Sequence, residues 1–433
     1  MNRNEFLKTL LAAGMLFPLA ACSSSGSKEP VSGEDTESET AEKVKLTVLR
    51  AGTDTDKKAF YEKVITQFEA ENPDIEIEYQ ESAYGDDFET KLNTGFASGT
   101  APDVMEFTLA SMGTRVPLGQ YASLDTYVES WDGKDDYMES ALNLGSINGS
   151  VYGIAVQPDV RMLIYNRELF EEAGLDPDSP PTNWEELAQY HKTLIRYEDS
   201  KVVQTGLGIP TSGSNLQHYL SIFLFQNGVK NLVDEDTDTI LFHSEEGIEA
   251  AQFIADLIGE GVIFWNSTNS DENPFASGNA AMTFAGTADF DNWNSGALTG
   301  KIAYAAPLTH VAQGTFCGMS FLFMSGETKH PQEAWRFIEY MASADIMWER
   351  YETLGAIPVR ESLKEQFIAG DPDANTAIYE SIAVGIGSPK VAYANSIFNA
   401  VNDAMERIAY GVEDVETSLN KAAKELQKEI DSQ

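Results

Sequence analysis

The chain has 433 residues, of which 42% are hydrophobic and 10% aromatic, enough apolar material for packed cores. Its formal net charge is −40, from 29 basic and 69 acidic residues. This balance excludes a general affinity for nucleic-acid phosphates, which requires clusters of Lys and Arg. Anionic lipid headgroups would also repel the chain, so any attachment to a membrane needs another source.

The N-terminus has the layout of a secretory signal peptide. Arg3 and Lys8 precede an apolar run over residues 10–19, and the small residues Ala20 and Ala21 stand before Cys22. The run is too short to cross a hydrocarbon core of roughly 30 Å. A cysteine directly after the small residues resembles a bacterial lipoprotein box, which implies that Cys22 is lipidated and becomes the mature N-terminus. We predict a lipoprotein signal peptide over residues 1–21, with an uncleaved short anchor as the alternative.

Residues 22–43 consist mainly of Ser, Glu, Thr, Gly and Asp, with almost nothing that can pack. Such a composition predicts a flexible tether. The protein is therefore expected on the extracytoplasmic face of the cell membrane, held there by lipid. The tether argues against the uncleaved anchor.

Roughly 390 residues follow the tether, which is too many for one ordinary core and favours two lobes. Only two cysteines occur, Cys22 and Cys317. If Cys22 carries lipid, Cys317 has no disulfide partner. Its apolar neighbours predict a buried small hydrophobe rather than a nucleophile.

Strands and helices alternate along the chain after the tether. Alternating or apolar runs predict strands over residues 44–49, 75–79, 103–107, 151–156 and 162–165. Apolar residues at helical spacing predict one helix through Phe60, Val64 and Phe68, which ends before Asn72, and another through Phe88, Leu92 and Phe96, which ends at Ser98. Further helices are predicted over residues 184–195, 246–257, 331–341, 397–408 and 415–430. This alternation indicates parallel sheets covered by helices on both faces.

Several short segments, in a fixed order, resemble those of the bacterial extracellular solute-binding proteins of the sugar-transporter class, which include maltose-binding protein. They are Phe68–Asp74, Phe96–Asp103, Val151–Ile154, Leu163–Asn166, Phe275–Met282, His330–Trp335 and Leu354–Pro358. Each segment alone is weak evidence. Their ordered set covers the chain from residue 44 and is specific to the family, but not to one sugar.

The resemblance implies a two-lobed, periplasmic-binding-protein-like α/β fold. Each lobe would hold a mixed, mostly parallel sheet flanked by helices, and three segments would form the hinge. The crossings are expected near residues 156–158, 319–323 and 354–358. Lobe 1 would comprise residues 44–156 plus 320–355, and lobe 2 residues 159–318 plus 359–433. A ligand would lie between the lobes, and the closed form would dock on the transmembrane subunits of an ATP-binding cassette permease.

Sugar recognition uses flat aromatic rings against C–H faces, and carboxylates, amides or Arg against hydroxyls. By the resemblance, Phe398 matches a main aromatic platform and Phe107 matches another cleft aromatic. The polar Asn399 beside Phe398 is a further candidate contact. Asp54 matches a sugar-binding acid. The alternatives are a core position for each Phe and a helix cap for Asp54.

A second family platform is replaced here by Ala288, so Trp293 is expected to supply the ring, or Asp289 to bind hydroxyls. Asp159 and Arg161, just past the first crossing, are a further candidate pair. Arg161 can donate to sugar hydroxyls or to an acidic sugar, and the alternative is an ion pair with Asp159.

Tyr219, with His218 beside it, matches an aromatic position at the base of lobe 2 by the same resemblance, and a structural role for His218 is the stronger expectation. Asp234, Asp236, Asp238 and Glu245 have calcium-loop spacing. However, Thr239 stands where that loop needs Gly, so a solvated hairpin turn is preferred. No metal site and no cofactor are expected.

The leading hypothesis is a monomeric, lipid-anchored receptor of an importer that captures a sugar or oligosaccharide and performs no chemistry. The alternatives are a surface glycoside hydrolase and a carbohydrate-binding adhesin or sensor. Hydrolysis needs two carboxylates at a fixed separation, and the abundance of acidic residues does not establish such a pair.

Overall fold

The computed structural model describes residues 43–432. The predicted signal peptide, Cys22 and all of the predicted tether except Lys43 lie outside the described residues. The fifteen strands of residues 43–432 are β1 Val44–Ala51, β2 Ile75–Ser82, β3 Val104–Thr108, β4 Ser146–Ile147, β5 Ser150–Val151, β6 Gly153–Val160, β7 Met162–Asn166, β8 Arg196–Glu198, β9 Lys201–Leu207, β10 Val233–Asp234, β11 Thr239–Ile240, β12 Ala280–Ala285, β13 Ile302–Tyr304, β14 Thr315–Met324 and β15 Gly385–Ile386.

Within residues 43–432 the helices are α1 Thr55–Glu71, α2 Asp86–Ser98, α3 Met112–Arg115, α4 Asp125–Val128, α5 Glu139–Leu144, α6 Arg167–Glu172, α7 Trp184–Leu194, α8 Leu216–Gln226, α9 Glu245–Glu260, α10 Thr287–Asn294, α11 Pro331–Met341, α12 Ala344–Leu354, α13 Lys364–Gly370, α14 Pro372–Ala383, α15 Ala394–Ala409 and α16 Val415–Ile430. In this part of the chain, no helix has both the length and the apolar character needed to cross a bilayer.

Local sequence signals account for the ends of several predicted helices. Gly99 ends α2 in the left-handed conformation, with φ 68°, and its backbone N–H bonds back to the last turn. The Ser244 hydroxyl accepts a hydrogen bond from Gly247 N and begins α9. Helix α11 begins with Pro331 at its first position and buries one apolar face. The predicted end of α2 at Ser98 and both bounds of α11 are confirmed, whereas α9 extends three residues beyond its predicted end at Leu257.

The first sheet has the order β15-β14-β3-β1-β2, and β6 also pairs with β14. Strand β1 runs parallel to β2 and β3, whereas β14 runs antiparallel to β3 and β6. The second sheet has the order β13-β7-β12-β9-β8. There only β12 and β9 are parallel, and the other three pairings are antiparallel. The predicted two-lobed fold with mixed sheets is confirmed, but the second sheet is less parallel than expected.

Two main hydrophobic clusters divide the described residues into lobes. The first cluster includes residues from Leu46 to Met162 and resumes at Cys317, whereas the second begins at Leu163 and also includes Phe316. The chain thus passes between the cores at residues 162–163 and 316–317. Both points lie close to the predicted crossings.

The third crossing differs from the prediction, which placed residues 359–433 in lobe 2. Val359, Phe367 and Ile382 belong to the first cluster, because α13 and α14 pack their apolar faces on the first lobe. The second cluster resumes at Val391 and contains the buried faces of α15 and α16. The assignment of residues 359–382 to lobe 2 is therefore wrong, and the third crossing lies at residues 383–390.

The three crossings are hydrogen-bonded neighbours. On one edge of β14, Cys317 is paired with Val160, and on the other edge Thr315 is paired with Gly385. Cys317 is fully buried at this junction, and burial raises the pKa of its thiol. This environment agrees with the predicted role as a small hydrophobe.

Lys390, the last residue of the third crossing, forms hydrogen bonds with both lobes. Its Nζ donates to the carbonyl oxygens of Asn143, at 3.2 Å, and Ser146 in lobe 1. Its backbone N donates to Glu235 Oε1 in lobe 2 at 2.8 Å. Lys390 therefore joins the two lobes by hydrogen bonds at the third crossing.

Candidate functional site

A cavity of about 110 Å³ lies beyond the carboxyl ends of the parallel strands β9 and β12. Open α/β sheets bind ligands at this edge. Its lining combines aromatic rings with hydrogen-bonding groups and consists of Arg161, Pro210, Asn215, His218, Tyr219, Ile222, Trp265, Ser267, Ser270, Asn273, Phe284, Ala285, Asp289 and Trp293. Arg161 directly precedes the first crossing, and the other lining residues lie within lobe 2, so the cavity lies in lobe 2 beside the junction of the lobes.

Arg161 is the centre of the charged part of the cavity. Its Nη1 and Nη2 atoms lie 3.3 Å and 3.2 Å from the two carboxylate oxygens of Asp159. Asp289 Oδ2 lies 3.8 Å from Arg161 Nη1. The Arg161 side chain is 21% exposed, whereas the two carboxylates are about half exposed. The predicted Asp159–Arg161 ion pair is present, and Arg161 also lines the cavity.

The backbone around Arg161 holds this ion pair against the second crossing. Arg161 N donates to Phe316 O at 2.8 Å, and Thr315 Oγ1 donates to Arg161 O. Asp289 is anchored separately, because its Oδ2 accepts a hydrogen bond of 3.1 Å from Gly286 N at the start of α10. The three charged side chains therefore project from restrained positions.

Gly286 allows the close approach of these side chains. A Cβ at this position would lie 2.4 Å from Arg161 Nη1 and 2.5 Å from Asp159 Oδ1. Real Cβ atoms do not approach other heavy atoms so closely. The absence of a side chain at residue 286 is thus part of the geometry of the site.

His218 and Tyr219 form the base of the cavity. The His218 ring packs on Phe316 at a centroid distance of 4.2 Å. Burial, with a smaller contribution from Arg161, lowers the pKa of His218 to about 3, so the imidazole is neutral at pH 7. The Tyr219 hydroxyl donates to Gly208 O at 2.7 Å and accepts from Phe284 N at 3.2 Å. Its hydroxyl is therefore committed to the scaffold, and burial raises its pKa to about 12.

Two tryptophans border the same space. Trp293, predicted as the replacement ring, packs on Phe275 with centroids 5.1 Å apart. Trp265 was not predicted, because it lies in an irregular segment with no periodic pattern. Its backbone N and O both bond to Thr211, which follows β9. The Trp-Asn-Ser segment at 265–267 was the one available signal, since aromatic and amide residues together suit a sugar site.

The candidates in lobe 1 do not line this cavity. The Asp54 carboxylate lies 3.5 Å from Arg50 Nη1, and it makes no side-chain cap bond although Asp54 is the N-cap of α1. Phe107 is only 4% exposed and stacks on Phe88 at 4.3 Å. Tyr84, which sequence reasoning missed, packs on Phe107 at 5.5 Å and is 64% exposed.

Tyr84 lies near the carboxyl edge of the first sheet. Along this edge the sheet register places Thr108 opposite Ser320, and Ser320 opposite Gln157, two residues before Asp159. Desolvation by neighbouring protein atoms raises the pKa of the Tyr84 phenol, and the negative charge of Asp159 raises it further. The exposed ring of this lobe is therefore Tyr84, and Phe107 supports it.

Phe398 and Asn399 lie in the first turns of α15 and do not line the cavity. Phe398 is half-buried and packs against the second hydrophobic cluster, whereas Asn399 is exposed. Their role in ligand binding stays a prediction. The packing supports the core alternative for Phe398.

The acidic segment at 234–238 forms a turn. Asp234 Oδ1 accepts hydrogen bonds from the backbone N atoms of Asp236 and Thr237, and β10 pairs antiparallel with β11. The preferred hairpin is confirmed. Among residues 43–432, no three His, Cys, Asp or Glu side chains converge as a metal site would require.

Comparison with known proteins places this geometry in a wider context. Residues 63–377 match the model of the family described as bacterial extracellular solute-binding protein. A binding protein of Brucella abortus (strain 2308) is 25% identical over 406 residues, which cover 88% of this chain and 92% of that protein.

Two further proteins are similar over most of their length. The sn-glycerol-3-phosphate-binding periplasmic protein UgpB of Yersinia pseudotuberculosis is 23% identical, with 84% of this chain and 87% of UgpB covered. The solved structure of the sugar-binding protein MalE from Xanthomonas citri aligns with a TM-score of 0.77 at 20% identity. That alignment covers 89% of this chain and 97% of MalE.

Proposed function

Because this chain belongs to the family of bacterial extracellular solute-binding proteins, we propose that it is the lipid-anchored receptor of an ATP-binding cassette importer. It captures a sugar or oligosaccharide and delivers it to the permease. The observation that carries this proposal is the cavity beside the lobe junction. Its lining combines two tryptophan rings with amide, hydroxyl and charged side chains. Rings cover the C–H faces of a pyranose, and the polar groups pair with its hydroxyls.

The hinge supports capture by closure of the lobes. Three adjacent crossings join two separate cores, which allows the lobes to rotate about β14 while each core stays intact. Rotation can carry Tyr84 of lobe 1 toward a ligand held beside Asp159 and Arg161. We therefore assign Tyr84 as a ligand contact in the closed form, in addition to the residues of lobe 2.

The names of similar proteins point to two kinds of ligand. MalE of X. citri is described as sugar-binding, and UgpB of Y. pseudotuberculosis as binding sn-glycerol 3-phosphate. A sugar is favoured here because Arg161, the basic residue of the cavity lining, already contacts the carboxylates of Asp159 and Asp289. A phosphate would have to displace these carboxylates to bind the guanidinium.

The test is a thermal-shift screen of the purified mature protein against mono- and oligosaccharides. A ligand at a hundred times its dissociation constant adds about 2.7 kcal/mol to the free energy of unfolding. We expect at least one carbohydrate to raise the melting temperature and to be recovered unchanged. Failure of every carbohydrate to do so would contradict the proposal, and steady release of shorter products would favour a hydrolase.

A further inference from the structure

We propose that Asp159 and Asp289 act as a charge filter, which restricts the cavity to uncharged, hydroxyl-bearing ligands by neutralising Arg161. The inference rests on the proposed function and goes beyond it, because it names a ligand class that the site rejects. Anionic sugars, sugar phosphates and glycerol phosphates belong to the rejected class.

The charged side chains beside the cavity carry more negative than positive charge. Arg161 is the only Lys or Arg among the lining residues, all of which belong to the described part of the chain. It contacts two carboxylates, so the three side chains carry a formal charge of −1. The neighbouring His218 is neutral at pH 7 and adds no positive charge. An anion entering this space therefore meets a net negative charge.

The geometry of the Asp159–Arg161 contact blocks the surface that an anion would use. Both Nη atoms of the guanidinium face the two oxygens of Asp159, at 3.3 Å and 3.2 Å. This is the paired contact by which Arg binds a phosphate or carboxylate. The position of an anionic ligand group is thus already taken by a residue of the chain.

The same arrangement is suited to hydroxyl groups. The Asp159 and Asp289 side chains are 50% and 51% exposed, so their remaining lone pairs are accessible. A hydroxyl can donate to a carboxylate oxygen, whereas a phosphate dianion cannot. A neutral polyol gains hydrogen bonds here, and an anion gains repulsion.

The filter acts locally. The chain carries a formal charge of −40, but charges on its distant surface are screened over about 8 Å at physiological ionic strength. Gly286 leaves room for the ion pair, because a Cβ there would lie 2.4 Å from Arg161 Nη1 and 2.5 Å from Asp159 Oδ1.

The test measures anion binding to the mature protein by isothermal titration calorimetry, with inorganic phosphate and sn-glycerol 3-phosphate as probes. The variants are Asp159→Asn, Asp289→Asn and the double variant, which remove charge with little change in shape. The matched control is Asp291→Asn, which removes the same charge from an exposed position on the same helix, α10.

We expect no detectable binding of either probe by the wild-type protein. The double variant should bind both probes, with an affinity about tenfold or more above the detection limit that bounds the wild type, because the guanidinium is then free to contact the anion. The control should show no gain, and melting curves should confirm that every variant is folded.

Three results would overturn the filter: tight binding of glycerol phosphate by the wild type, an unchanged double variant, or an equal gain in Asp291→Asn. These outcomes differ from a failure of the proposed function. If no carbohydrate binds but the double variant gains anion affinity, the filter stands and the carbohydrate assignment falls.

Discussion

Replacement of Gly286 by Ala tests whether the arrangement of charges at the lobe junction contacts the ligand. The new Cβ would lie 2.4 Å from Arg161 Nη1 and 2.5 Å from Asp159 Oδ1, so both groups must move by roughly 1 Å to reach ordinary contact. Both atoms are at the ends of side chains. The backbone at φ −82° and ψ 170° accepts Ala without strain.

These facts predict a separation of stability from affinity. The ion pair is partly exposed, and such pairs stabilise proteins by about 0.2 to 1 kcal/mol, so the free energy of unfolding should fall by less than about 1 kcal/mol. Affinity should fall more. A misplaced hydrogen bond to a charged group costs about 1.5 to 3 kcal/mol, which corresponds to a dissociation constant raised by about tenfold to a hundredfold.

Calorimetric titration with a carbohydrate identified in the screen measures the affinity, and denaturant unfolding measures the stability. The matched control is Gly259→Ala in α9, where nothing lies within 4 Å of the added Cβ. That substitution should stabilise the helix by up to about 1 kcal/mol and leave affinity unchanged. Wild-type affinity in Gly286→Ala would refute the contact, and loss of folding would refute the claim that the neighbours yield at low cost.

Four further predictions concern other parts of the molecule. Burial lowers the pKa of His191 from 6.5 to about 4, so the unfolded chain binds the proton more tightly than the folded chain. The free energy of unfolding should therefore fall by about 2 kcal/mol between pH 7 and pH 5. Denaturant unfolding of His191→Gln should lack this pH-dependent loss. Tyr84→Ala should leave the unliganded melting temperature unchanged, because the ring is 64% exposed, yet weaken carbohydrate binding by about tenfold; equal affinity in calorimetry would remove Tyr84 from the site. Phe398→Ala should lower the free energy of unfolding by about 1 to 2 kcal/mol, because the ring packs on the second cluster; unchanged unfolding with lost binding would restore it as a ligand platform. Cys22→Ser should release the protein from membranes into the medium, as measured by cell fractionation, and retention on the membrane would contradict lipid anchoring.

Local patterns in the sequence predicted part of the secondary structure, and the ordered motifs predicted the family. Apolar spacing predicted α1, α2 and α11, because burial of one helix face requires a repeat near 3.6 residues. Cap residues such as Ser244 and Gly99 set the helix ends through contacts within a few residues. The ordered motifs predicted two lobes with mixed sheets.

The tertiary structure alone decided which side chains share the site. Arg161 and Asp289 are distant in sequence, and they meet only because β7 pairs with β12. Phe107 and Tyr84 are both aromatic residues of lobe 1, but stacking on Phe88 buries the first and leaves the second exposed. The apolar residues of α13 and α14 show that each helix buries one face. They do not show whether that face packs on the core of lobe 1 or of lobe 2. Which surfaces meet depends on the packing of the whole chain, and no local pattern encodes it.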